Sequence, residues 1–209
     1  MKRASKLIEK YGIPGRDLYE LPASTMRFPD GAHYRIEISG VERPEVCEAI
    51  LDEADKRGVP VHRLISTVMG ATLLSRDELK RFAQLAHDAR VEVIITPGPR
   101  ATWDVGRQIA TPEGVACGLR FRSADSVAQY IEDILRCIDV GFRGFLVWDE
   151  GVLWLLNQMR DNGDIPAILC LRYRYMRGML THVGRNCWKI WALIRLTRLV
   201  IYRYRHMHR

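Results

Sequence analysis

Short apolar segments recur along this chain and alternate with stretches that have the period of an amphipathic helix. The segments are rich in β-branched and aromatic residues, as buried strands are, and they begin about 26 to 30 residues apart, the length of one βα unit. They occupy residues 35–39, 61–66, 91–96, 117–122 and 142–148. The pattern therefore predicts five strands joined by crossovers.

The stretches between the segments predict helices. Residues 44–56 and 123–139 each place their apolar side chains on one stripe, and Ser75 with Glu78 forms the capping-box pattern that opens a third helix. Strands that alternate with helices favour a parallel sheet, because only a crossover returns the chain to the same edge. Since no glycine-rich dinucleotide motif follows the first strand, the predicted fold is α/β, an incomplete (β/α)8 TIM-type barrel of about five βα units.

The same pattern divides the chain into three parts. Residues 1–32 form an N-terminal arm that contains three prolines and is predicted as a short helix followed by irregular chain. Residues 33–166 form the partial barrel. Residues 167–209 form a basic, aromatic C-terminal tail that is predicted to be irregular.

Charge separates the tail from the rest of the chain. Residues 1–166 hold 22 Lys and Arg against 25 Asp and Glu, a net charge of −3, although the whole chain carries +7. The last acidic residue is Asp164, and residues 167–209 hold nine Arg, one Lys and no carboxylate, where average usage predicts about five. The body is thus mildly acidic, and its charge alone does not indicate a nucleic-acid partner.

Two explanations of the tail remain open. The loss of one nucleotide near codon 167 would place the downstream residues in the wrong reading frame. In the second frame, each codon consists of the third base of one codon and the first two bases of the next. The genetic code then allows only Leu-Leu-Glu across Asn186 to Lys189. The residues that follow are typical of a helix end closed by glycine. The other explanation is a genuine basic tail that binds RNA or an anionic membrane surface, because arginines interleaved with aromatic residues suit both. The hidden reading favours the frameshift.

Cysteine usage and hydropathy bound the compartment. The five cysteines are odd in number and form no CxxC pair, which disfavours a disulfide framework and a structural zinc site. The histidines of the body show no HxH or HExxH spacing, so no metal site is predicted and no particular cofactor is indicated. Charged residues interrupt the apolar runs at Glu9 and in the tail, so neither a signal peptide nor a transmembrane segment is expected. The expectation is a cytoplasmic protein with reduced thiols.

Glu37 is the first candidate catalytic residue. A barrel places its active site at the carboxyl ends of its strands, so the polar residues that interrupt or close each predicted strand are the candidates. Glu37 lies between Ile36 and Ile38 in the first strand, where burial raises a carboxyl pKa towards that of a general base. The alternative is a buried ion pair with one of three arginines, Arg35, Arg120 or Arg122.

Asp149 and Glu150 are further candidates, directly after the fifth predicted strand and Trp148, which is a candidate substrate contact. The two carboxylates suit a metal site or an acid/base pair. The alternative is the acidic first turn of a helix, where carboxylates interact favourably with the helix dipole.

Three arginines are candidate substrate-binding residues. Arg120 and Arg122 point the same way along the fourth predicted strand and suit a carboxylate or phosphate, although a solvated or ion-paired rim is an equal alternative. Arg100 ends a Thr-Pro-Gly-Pro-Arg run in the long connection after the third strand, and such connections tend to be functional.

Two runs of the body carry a resemblance to a known family. Residues 31–40, Gly-Ala-His-Tyr-Arg-Ile-Glu-Ile-Ser-Gly, and residues 144–151, Gly-Phe-Leu-Val-Trp-Asp-Glu-Gly, resemble bacterial (β/α)-barrel proteins of the U32 peptidase type. The resemblance implies that an intact chain is a hydrolase, or a related enzyme, acting on a small polar or peptide-like substrate. The chain as encoded is expected to be truncated and inactive. A barrel relative that serves as a non-catalytic scaffold is a further alternative.

Overall fold

The computed structural model describes residues 2–17, 20, 25–66, 71–99 and 120–173. The chain divides into two compact units, and residues 35–176 belong to the larger one. The smaller unit includes the beginning of the chain, where helix α1 (Lys2–Glu9) confirms the short helix predicted in the N-terminal arm.

The larger unit alternates strands and helices in chain order, which confirms the α/β prediction. Its strands are β1 (Glu37–Ser39), β2 (Arg63–Ser66), β3 (Glu92–Ile95), β4 (Gly144–Val147) and β5 (Cys170–Tyr173). Its described helices are α2 (Pro44–Arg57), α3 (Arg76–Asp88), α4 (Ala124–Asp139) and α5 (Glu150–Asn162).

The five strands form one parallel sheet in the order β1-β2-β3-β4-β5, so β1 and β5 are its edges among the described residues. Each strand pairs with the next strand in the chain, and every crossover therefore runs in the same direction. Right-handed crossovers then place the helices on one face of the sheet. We name this side the helix face and the opposite side the inner face.

The helix face is the core of the unit. Side chains alternate between the two faces of a strand, and the apolar side chains that β2, β3 and β4 direct to the helix face, together with Leu171 of β5, are at most 7% exposed. They include Leu64, Val93, Ile95, Phe145, Val147 and Leu171. From the helix layer, the Tyr130 hydroxyl donates to the Leu146 carbonyl oxygen at 3.2 Å, and Phe82 of α3 packs edge to face on Phe142 at 5.5 Å.

Local sequence fixes the helix ends. The Ser75 hydroxyl accepts from the Glu78 N–H at 3.2 Å while the Glu78 carboxylate accepts from the Ser75 N–H at 2.8 Å, which confirms the predicted capping box. Helix α2 ends at Gly58, whose φ of 61° lies in the left-handed region that favours glycine.

An ion pair joins the two edge strands across the inner face. In a flat sheet, four strand-to-strand steps of about 4.8 Å would separate β1 from β5 by roughly 19 Å. The Arg172 guanidinium of β5 nevertheless donates to Glu37 of β1 at 2.5 Å. The sheet therefore curls around its inner face.

The described part of one predicted strand forms no strand, and one strand was missed. The described part of the segment predicted at 117–122, Arg120 to Arg122, forms no strand, and β4 pairs directly with β3 through Gly144 and Ile94. The reason is local, because the Phe121 N–H donates to the Asp149 carboxylate and Ser123 caps α4. The fifth strand is instead β5, which lies beyond the predicted barrel boundary at residue 166 and inside the range predicted as irregular tail.

Candidate active site

The carboxyl edge of the sheet gathers Trp148, Asp149 and Glu150 after β4. Asp149 is the N-cap of α5, and its two carboxylate oxygens accept from the Val152 N–H at 3.0 Å and the Phe121 N–H at 3.3 Å. These bonds satisfy one of the first N–H groups of the helix and fix the segment that precedes α4. The Asp149 carboxylate therefore has a structural role, whatever further chemistry it performs.

Glu150 forms an ion pair with Arg120 at the same edge. The Arg120 guanidinium donates to the Glu150 carboxylate at 2.6 Å, and the side chains are 58% and 27% exposed, respectively. Arg120 thus lies where its charge neutralises the carboxylate nearest the strand end. Arg122 is exposed and shares no strand with Arg120, so the prediction that both point the same way along one strand is wrong. Arg100 lies outside the described residues.

Trp148 lies on the inner face, directly after the carboxyl end of β4. It packs against three inner-face residues that are at most 6% exposed, Ile65, Ile94 and Leu146. The indole therefore has an apolar support below it.

Thr96 adds a polar group to this region. It follows β3 on the inner face and is fully buried, and its N–H donates to the Ser66 carbonyl oxygen at 3.1 Å. Its hydroxyl has no hydrogen-bond partner within the part of the chain that the structure describes. A buried hydroxyl without a partner costs about 1 to 3 kcal/mol, so Thr96 is a candidate ligand contact.

Glu37 belongs to a separate group on the inner face. It is the first residue of β1, at the amino edge of the sheet, whereas Trp148 to Glu150 follow the carboxyl end of β4. Arg172 donates to Glu37 at 2.5 Å, Arg63 donates to it at 3.2 Å, and Arg63 also pairs with Glu92. The structure therefore does not bring Glu37 together with Asp149 and Glu150 at one strand end.

The electrostatics of Glu37 correct the prediction of a raised pKa. Partial burial raises the pKa of Glu37, but the hydrogen bonds and charges of Arg172 and Arg63 outweigh this effect and hold the pKa below its ordinary value. The bonds come from Arg63 and Arg172 rather than from Arg35, Arg120 or Arg122. At neutral pH Glu37 is a carboxylate held by two guanidinium groups, which is a poor starting point for a general base.

A pH-dependent stability follows from this pKa. Because the folded-state pKa is lowered, ionised Glu37 stabilises the fold above its unfolded pKa, and the contribution is lost as pH falls through the folded value. We expect Glu37→Gln to lower the free energy of unfolding by about 1 kcal/mol at pH 7, an amount reduced by the partial exposure of the carboxylate, and by less near pH 3.5. Urea unfolding at several pH values measures this difference. Glu53→Gln is the control, because Glu53 forms an exposed pair with Arg57. A loss of unfolding free energy by Glu37→Gln that grows towards low pH would contradict the ion-pair description.

Asp133 of α4 holds two loops that follow neighbouring strands. It is 9% exposed, and its carboxylate accepts from the Gly98 N–H at 3.0 Å and from the Thr72 hydroxyl at 3.5 Å. Burial raises the pKa of Asp133, although these bonds and the charge of Arg136 oppose the shift. Asp133 therefore positions the connections after β2 and β3 from the helix layer and is a supporting residue of the carboxyl edge.

The described thiols have pKa values above the ordinary value. Burial raises the pKa of Cys47 to about 11 and that of Cys170 to about 12, and it also raises the pKa of Cys137. All three are therefore protonated at neutral pH. Among the described residues, no group of His, Cys, Asp and Glu is arranged to hold a metal ion.

Sequence reasoning missed the arginines that organise the inner face. Arg63 and Glu92 open β2 and β3, and Arg172 lies in β5. The signal was present, because each of the first two is a charged residue at an inward position of a mainly apolar strand. A charge there requires a partner in the same layer.

The chain matches no known protein-family model and no curated protein sequence. None of the described helices is long and apolar enough to cross a lipid bilayer.

Proposed function

We propose that the larger unit is part of a (β/α)8 barrel. The sequential strand order supports a barrel over a doubly wound sheet, in which the order reverses at a switch point. The Glu37–Arg172 pair is the observation that carries the proposal, because it requires strong curvature towards the inner face.

The register of this pair agrees with a barrel of eight strands. The residue pairing, extended beyond the paired ends, places Glu37 in one row with Arg63, Glu92 and Ile168. Arg172, the partner of Glu37, lies four residues further along β5 than Ile168, and β5 is four strands away from β1. The offset between the paired residues is therefore one residue per strand. This is the ratio in a barrel of eight strands whose shear is about eight.

We infer that the intact barrel is a hydrolase, or a related enzyme, that acts on a small polar or peptide-like substrate at the carboxyl edge. The resemblance of residues 31–40 and 144–151 to U32-type peptidases supports this class. The buried Thr96 hydroxyl and the Trp148 ring offer binding contacts, and Asp149 and Glu150 offer carboxylates at the strand end where barrels place their chemistry. The encoded chain has only five strands in its described sheet and is inactive in this proposal.

Amide hydrolysis tests the proposal. The encoded chain and a chain whose gene carries one added nucleotide after codon 173 are incubated with N-acetylated dipeptide and tripeptide amides, and the products are identified by mass spectrometry. We expect turnover only from the second chain, and we expect Glu150→Gln in that chain to lower turnover about 100-fold or more, as loss of a general acid or base does. Asp139→Asn, at the exposed end of α4, is the control. A folded second chain that hydrolyses none of these amides would refute the hydrolase assignment and favour a scaffold.

A second function rests on the composition of the tail. Residues 167–209 carry ten cationic side chains and no carboxylate, which suits RNA or an anionic membrane surface. Since β5 occupies Cys170–Tyr173, the informative truncation removes residues 174–209. Binding of single-stranded RNA or anionic vesicles that weakens steeply with salt, and that is lost on this truncation, would support a genuine tail over a frameshift.

A further inference from the structure

We propose that β5 and α5 form the docking surface for the next helix of the βα repeat, and that the second reading frame of the same gene encodes this helix after β5. The inference rests on the barrel proposed above but not on the hydrolase assignment. Its partner is therefore a specified segment, encoded by the same nucleotides as the basic tail.

The contacts of β5 indicate that the encoded reading frame is the correct one through the end of this strand. Its four residues pair in register with β4, and the flanking Leu169 and the central Leu171 are 0% and 1% exposed. The Arg160 guanidinium donates to the Leu169 carbonyl oxygen at 3.3 Å, and Arg172 reaches Glu37 across the inner face. A segment read in a wrong frame has no reason to satisfy all of these contacts, so the frame changes after β5 rather than near codon 167.

The end of the described chain presents an apolar surface. Helix α5 packs on β4 and β5, and β5 is the edge strand of the described sheet. Trp154 on α5 is 58% exposed. A large apolar side chain with this exposure, on a helix next to a sheet edge, is typical of a surface that another element covers.

The second frame specifies a helix of matching character. Its forced residues from Asn186 onwards are Leu-Leu-Glu, then Asp or Asn, then Leu or Met, and Gly at the junction of Trp191 and Ala192. The two leucines and the later Leu or Met lie at positions i, i+1 and i+4, which share one helix face, and the glycine suits a helix C-terminus. The connection from β5 to this helix would contain several residues. The connection from β2 to α3, between Ser66 and Arg76, likewise contains several residues.

Three chains test the inference. They are the encoded chain, a chain with one nucleotide added after codon 173, and a control chain with two added nucleotides, which enters the third frame. Each is also made with Trp154→Phe, so that the emission of Trp154 is obtained by difference. A fourth chain carries Asp in place of both forced leucines in the one-nucleotide version.

We expect only the one-nucleotide chain to gain buried surface. Its urea m-value should rise by roughly one fifth over the encoded chain, because m scales with the surface exposed on unfolding, and its unfolding midpoint should rise as well. The Trp154 emission should shift to shorter wavelength, and the double Asp replacement should reverse all three changes. These changes without amide hydrolysis would refute the hydrolase and leave the docking surface standing. A stop codon in the second frame before the glycine, or a one-nucleotide chain indistinguishable from the two-nucleotide control, would overturn the inference.

Discussion

Arg63→Met is expected to destabilise the larger unit by about 3 to 5 kcal/mol, the cost typical of breaking a buried ion pair from one side. Arg63 is 13% exposed and donates to Glu92, which is 8% exposed, and to Glu37. Methionine leaves these two carboxylates on the inner face without their shared cation. Urea unfolding followed by far-UV circular dichroism measures the loss.

The matched control for Arg63→Met is Arg57→Met. Arg57 pairs with Glu53 one turn away on α2, and their side chains are 72% and 51% exposed. An exposed pair of this kind contributes about 0.5 kcal/mol or less. Adding Glu92→Gln to Arg63→Met should recover part of the stability, because it removes the carboxylate whose ion pair is lost, whereas Glu37 keeps its pair with Arg172. Equal effects of the two arginine replacements would show that the inner-face network does not support the fold.

Gly144→Ala is expected to cost about 3 kcal/mol or more, at the upper end of overpacking effects. Gly144 opens β4 and lies beside Ile94 of β3 in the sheet register. A Cβ atom at this position would lie 2.4 Å from the Val93 carbonyl oxygen and 2.6 Å from the Ile94 Cδ1 atom. The first of these contacts is with backbone, so only a displacement of β3 relieves it.

Gly151→Ala is the same chemical change in a permissive place. Gly151 lies in the first turn of α5, and an added Cβ would lie 3.1 Å from the Asp149 Oδ1 atom, a contact that a small movement of that side chain relieves without moving backbone. Alanine is favoured over glycine in a helix by up to about 1 kcal/mol, so this variant should be neutral or more stable. If the two glycines respond alike, close packing between β3 and β4 is not the reason for Gly144.

The sequence predicted those elements whose apolar pattern and caps are local. Helices α2, α3 and α4 and strands β1 to β4 lie where the periodicity placed them, and the Ser75–Glu78 box opens α3 as predicted. These features depend on residues that are near one another in the chain. The confirmed part of the fold is therefore the α/β alternation and the parallel sheet.

The errors arose where distant residues decide. Residues 117–122 have a strand-like pattern, but the Asp149 side chain and the start of α4 determine what the described part of that segment does. Strand β5 was assigned to the tail because composition was averaged over 43 residues, and four residues of strand do not change such an average. The acidity of Glu37 depends on Arg172, which lies 135 residues away.

The candidate site was predictable only in part. The acidic pair after β4 was located correctly at a strand end, yet the capping role of Asp149 and the partner of Glu150 required coordinates. The inner-face network of Arg63, Glu92 and Arg172 has its origin in strand register, which the sequence does not specify by itself.

The two edges of the described sheet have a consequence for assembly. The outer side of β1 and the outer side of β5 are different surfaces that are complementary to each other as parallel partners. When β1 of one copy pairs with β5 of another copy, the pair still has one unpaired β5 at one end and one unpaired β1 at the other. Such a head-to-tail contact forms a closed ring only if the rotation that relates neighbouring copies returns to the first copy. Two copies would supply ten strands, which exceeds the eight strands that the observed stagger suits. Among the described residues, growth by this contact would therefore stay open until a further segment covers one edge.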